Sequence, residues 1–161
     1  MNWRYVVAGV MVVLVGVGIW YGTKPKPAED GISVRLYYYN ALLDQGPGGV
    51  RCSKDGLVPV ERIIPNTATP LADTIRLLLR GEILPEEQSR GATTEFPLAG
   101  VALKSASITN GVATLTFDDP LYKTGGGSCR VAILWAQIEA TARQFPTVTS
   151  VRFMPEELFQ P

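Results

Sequence analysis

Residues 101–119 read VALKSASITNGVATLTFDD. Asn110-Gly111 sits between two alternating runs, the strongest short-range signal for a two-residue type I′ hairpin. A two-residue turn there fixes the pairing. Ile108 faces Ala113 and Ala106 faces Leu115 on one side of the ladder. The same register sets Lys104 against Phe117 on that apolar side, so a bulge or a strand end is expected near Lys104.

Working outward, Ile32 to Tyr39 alternates as a half-buried strand. Ile32, Val34, Leu36 and Tyr38 share one face, and Ser33, Arg35, Tyr37 and Tyr39 the other. Leu57 to Ile64 reads as a second strand. Pro59 has no N–H for a ladder, which places this strand at an edge or a bulge. The Gly-rich connection from Asn40 to Gly56 is long enough to be functional or pinned. Thr69-Pro70 opens a helix with Thr69 as N-cap and Leu71, Ile75, Leu78 and Leu79 as its stripe. Gly81 follows at the left-handed C-terminal position. A second helix follows Gly125-Gly126-Gly127, with Val131, Leu134, Trp135, Ile138, Ala142 and Phe145 at spacings of three and four, and Pro146 stops it. Ser150 to Met154 is a last strand. The fold class is α+β with the order ββαββαβ: a two-layer domain in which two helices cover one face of a mixed sheet.

Before this domain, Tyr5 to Tyr21 carries no charge. As a helix it spans roughly 26 Å at ~1.5 Å per residue, close to a bilayer core. Trp3 and Tyr5 at one end and Trp20 and Tyr21 at the other fit the interfacial belts. A cleaved signal peptide is the alternative; the bulky exit Ile19-Trp20-Tyr21 favours an uncleaved anchor. The expected organisation is an anchor over 1–22, a stiff Lys/Pro spacer over 23–31 and a domain over 32–161. Flanking charge is nearly balanced, so the short N-terminal flank sets the expectation that the domain follows the span.

The composition removes several chemistries. Lys+Arg and Asp+Glu are both 15, and a net charge of zero argues against nucleic acid, where a basic stripe is expected. The 161 residues contain no histidine and two cysteines. Histidine-based catalysis, His-ligated zinc and four-thiolate zinc are therefore excluded. Neither an enzyme nor a cofactor is expected.

Several segments together resemble the GerMN domain, the sporulation and spore-germination domain. They are VRLYYY at Val34 to Tyr39, LVPVERIIP at Leu57 to Pro65, and the Pro70 helix ending in LLLRGE. SASITNGVATLTFDD at Ser105 to Asp119 and GGSCRVAILWAQIEATARQFPTVTSVRF at Gly126 to Phe153 complete the set. Two departures are the long Asn40 to Gly56 loop and Met154-Pro155-Glu156 after the last strand, where the family often has an Asp-Gly turn. The resemblance implies a fold similar to ring-building motifs. It also implies a membrane-tethered, extracytoplasmic, non-enzymatic module that binds another envelope protein or itself. A small envelope-ligand domain, for wall glycan or a cation, is the alternative.

The candidate interaction surface is Tyr37, Tyr39, Glu61 and Arg62. The two tyrosines project from the open sheet face unless the Asn40 to Gly56 loop covers them. Glu61 and Arg62 are a recognition pair or, more simply, partners in charge pairing across strands. Asp118 and Asp119 would hold a hard cation or cap a turn. The glycines before the second helix offer an anion-friendly end or flexibility. Cys52 and Cys129 form one disulfide in an oxidising compartment, or are two unrelated small apolar residues.

Overall fold

The computed structural model describes residues 31–46, 48 and 51–160. The anchor expected over 1–22 and nearly all of the spacer lie outside the described residues. Among the described residues no helix is long and apolar enough to cross a membrane.

In chain order the elements are β1 (Gly31–Tyr39), β2 (Leu57–Pro65), α1 (Pro70–Leu79), α2 (Pro85–Ser89), β3 (Ala102–Thr109), β4 (Val112–Asp118), α3 (Ser128–Arg143) and β5 (Ser150–Met154). The expected order is present, with the short α2 added. The Asn110-Gly111 turn has positive φ at both residues, 51° and 82°, as a type I′ turn requires. Ile108 faces Ala113 and Ala106 faces Leu115. The register shifts between Leu103 and Ser105, so the bulge falls at Lys104. Phe117 then pairs with Leu103, and Lys104 turns out to solvent beside Asp118, 3.7 Å away.

The single mixed sheet expected from sequence is instead two sheets. β1 and β2 form an antiparallel pair; β3, β4 and β5 form the other sheet, with β4 and β5 parallel. The edge of β1 that a further strand would need is already taken. The Arg35 N–H donates to Gln144 Oε1 at 2.7 Å, and Gln144 Nε2 donates back to the Arg35 carbonyl at 2.6 Å. The Tyr37 N–H donates to Thr141 Oγ1 at 3.1 Å. Gln144 thus imitates a strand residue, and the C-terminal half of α3 covers the edge. At the end of β1, Tyr39 exchanges both backbone hydrogen bonds with Thr93. Pro59 stands opposite Tyr37. Because the Tyr37 N–H points away toward α3, Pro59 costs the ladder nothing, and β2 is the edge strand that Pro59 implies.

Helix α1 packs on α3, β1 and β3, and α3 packs on β1 and β5. The core joins Leu36 and Tyr38 of β1, Ile75 and Leu78 of α1, Leu115 of β4, and Leu134 and Ile138 of α3. Thr69 is the N-cap of α1 and Pro70 its first residue, but the Thr69 hydroxyl donates to Asp73 at 3.2 Å rather than accepting from a backbone N–H. Past β5 the chain folds back. Phe159 is buried against Phe117 and Phe153, with ring centroids at 5.4 and 5.0 Å. Burying such a ring contributes about 2–3 kcal/mol.

Candidate functional site

The long loop after β1 is built around one carboxylate. Asp44 Oδ2 accepts from the Tyr39 hydroxyl at 2.5 Å and from the N–H groups of Cys52 and Ser53 at 2.6 and 2.9 Å. Its Oδ1 accepts from the Ser53 hydroxyl at 2.5 Å and the Gly46 N–H at 3.2 Å. The Ser53 and Tyr39 hydroxyls, chief among these donors, hold the Asp44 carboxyl well below the usual carboxylate range. Burial, followed by the bond to Asp44, pushes the Tyr39 phenol up. Gly56 lies so close to that ring that a Cβ there would come within 2.5 Å of it. The loop is therefore pinned. A second fastening is covalent: Cys52 and Cys129 form a disulfide, with Cα atoms 5.1 Å apart. It ties the loop to the first turn of α3.

Fixing the loop there leaves a concave flank along α3. Its first recess, about 400 Å³, lies between α3 and β1. Arg35, Lys54 and Arg143 rim it, Tyr37 forms a wall, and Glu139 sits between Lys54 (2.5 Å) and Arg143 (3.8 Å). The second recess, about 300 Å³, adjoins the first by sharing Lys54 and Ala136. It is walled by Cys52, Val131, Ala132, Trp135 and Phe159 and is largely apolar.

The residues singled out from sequence divide between this flank and the interior. Tyr37 is half-buried and lines the first recess. Tyr39 is not on a surface: it is 7% exposed, covered by the loop and bonded to Asp44. Glu61 is exposed opposite Arg35 in the ladder. Arg62 is engaged within the fold. Its guanidinium makes a two-pronged contact with Glu87 of α2 at 2.6 and 2.7 Å and also donates to the Glu82 carbonyl. That contact, foremost, holds the Glu87 carboxyl below its ordinary value. Asp119 caps its own loop, accepting from the N–H groups of Lys123 and Thr124 and from the Thr124 hydroxyl, each at 2.8 Å. Burial raises its pKa, and these donors more than offset the rise. No cluster of three or more metal-ligating side chains occurs among the described residues. Sequence reasoning missed Asp44, Gln144 and Arg35. Their roles depend on contacts between segments far apart in the chain, and no local pattern marks them.

The family model described as "Germane: Sporulation and spore germination" matches residues 35–157. The chain belongs to the Germane family. The match begins within β1 and ends in the tail after β5, so it takes in both sheets, the pinned loop and the α3 flank. Among solved structures, the tandem GerMN domains of the sporulation protein GerM from Bacillus subtilis align with a TM-score of 0.56 at 21% identity. The alignment covers 84% of this chain and 43% of that one, so the chain spans under half of the tandem structure. A Clostridium perfringens protein described as a lipoprotein aligns over 80% of this chain and 78% of its own, at 17% identity and a TM-score of 0.40. No curated protein matches the sequence.

Proposed function

We propose that this Germane domain is a membrane-anchored, extracytoplasmic interaction module of the bacterial cell envelope. The observation that carries the reading is the Cys52–Cys129 disulfide. Such bonds persist in oxidising compartments and are kept reduced in most cytosols. The uncharged stretch Tyr5 to Tyr21, bracketed by aromatic residues, supplies the anchor. The interaction role is supported by where the charged groups are spent. Asp44, Arg62, Glu87 and Asp119 are committed to internal hydrogen bonds, and the concave flank of α3 remains open. Family membership connects the module to sporulation and germination proteins. The physiological step it serves is a property of each organism.

Two measurements on one fusion test the reading. Alkaline phosphatase, which needs an oxidising compartment, is joined after Pro161. The fusion is expected to be active and to stay in the membrane pellet after alkaline carbonate washing. An inactive phosphatase together with an active cytoplasmic reporter at the same site would overturn the location. Release by carbonate would overturn the anchor.

A further inference from the structure

The two recesses on the α3 flank adjoin, sharing Lys54 and Ala136, and differ in character, and the difference has a direction. Arg35 and Arg143 stand at the end where α3 finishes and β1 begins. Trp135, Ala132, Val131 and Phe159 stand toward the start of α3, beside the disulfide. Lys54 lies between the two ends and belongs to both. Three cations meet one carboxylate, Glu139, and two of the cations already contact it. Arg35 makes no ion pair within 4.0 Å among the described residues, though Glu61 stands opposite it in the ladder and offsets part of its charge. The first recess thus carries a surplus of positive charge.

We propose that this flank is a docking groove for an extended polypeptide segment of a partner envelope protein, acidic at one end and apolar at the other. This rests on the interaction-module reading and names its surface and its partner's chemistry. The segment's carboxylates lie against Arg35 and Arg143, near the β1 end that leads back to the anchor. Its apolar side chains fill the recess over Trp135 and Phe159. Charge complementarity decides the occupant. A neutral glycan leaves the surplus cations unanswered and finds few polar partners in the second recess. A membrane surface does not enter a concave flank. The groove is pre-formed, because Gln144 and Thr141 fix β1 against α3 and the disulfide fixes Cys52. Binding therefore orders little of the domain itself.

The test uses the full-length protein in detergent micelles and random dodecapeptides displayed on phage. Enriched peptides are expected to combine two or more acidic residues with an apolar block. A synthetic copy of one is then titrated against variants. Arg35→Glu/Arg143→Glu at the cationic end and Ala132→Arg at the apolar end are each expected to weaken binding at least tenfold with the melting temperature retained. Lys104→Glu, on the β3 bulge, is expected to leave binding unchanged. The peptide's affinity should also fall as salt is raised. No enrichment, enrichment of basic peptides, or binding indifferent to the groove variants would overturn the proposal. An intramolecular cross-link from position 132 to residues 23–30 would overturn it too, by making the chain's own spacer the occupant. None of these outcomes bears on the phosphatase result, so groove and location fail separately.

Discussion

Replacing both cysteines by serine should cost this domain several kcal/mol. The bridge joins residues 77 apart in sequence. In the chain-entropy model, closing a loop of that length lowers the entropy of the unfolded chain enough to stabilise the native state by about 4.5 kcal/mol. Measured disulfides more often give about 2–4 kcal/mol. The net expectation is about 3 kcal/mol. Trp135 is the one tryptophan in a fragment of residues 31–161 and packs on Phe153 at 4.5 Å between ring centroids. Its fluorescence reports unfolding. With a urea slope of about 1.5 kcal/mol/M for a domain of this size, the midpoint of the Cys52→Ser/Cys129→Ser fragment should lie about 2 M below that of the oxidised fragment. The native spectrum should change little, because Asp44 still holds the loop. A midpoint shift under about 0.5 M would refute the reasoning. So would free thiols in the oxidised preparation.

Gly81→Ala should destabilise by at least about 1–2 kcal/mol by thermal melting, because Gly81 has φ 66° and an added Cβ would meet the Phe96 carbonyl oxygen at 1.9 Å; an unchanged melting temperature would refute the close approach. Gln137→Met should stabilise by about 1 kcal/mol, since Gln137 is fully buried and its Oε1 has no partner; a large loss in melting temperature would show that the oxygen is satisfied. Tyr38, its phenol pushed up to about 12 mainly by burial, should stabilise the fold fully below pH 10 and progressively less as pH rises through 12. Tyr38→Phe should flatten that alkaline decline in urea midpoints taken from pH 8 to 12. Asp44, held low, contributes stability above pH 4 that is lost as pH falls, so Asp44→Asn should lower the melting temperature at pH 7 and weaken its acid dependence below pH 4.

What was legible in the sequence was local. The hairpin register, the bulge at Lys104, the edge position of β2 and both long helices follow from turn chemistry and periodicity within short windows. The division into two sheets was not legible. It depends on Gln144 and Thr141 capturing the edge of β1, a contact between residues 109 and 104 positions apart. The same limit explains the error over Tyr39. Alternation puts it on the face of Tyr37, but the loop that covers it is fastened by Asp44 and the disulfide, neither of which periodicity marks. Phe159 was missed because it follows Pro155 in a stretch with no period. Of the candidate surface, Tyr37 borders the groove. Arg62 proved to be a clamp on α2, since a strand arginine reads the same whether it meets solvent or a carboxylate 25 residues away.

The central claim, an oxidised Germane domain held outside the cytoplasm, is tested most directly by labelling thiols in intact cells stripped of their walls. Cys129 is exposed and Cys52 half-buried, lining the second recess. A membrane-impermeant reductant is followed by a membrane-impermeant maleimide polymer, and the protein is followed by its shift on a gel. The account predicts no shift without reductant and a shift of two polymers after it, with the cells still intact. Labelling without reductant would contradict the disulfide, and labelling that appears only after lysis would contradict the location.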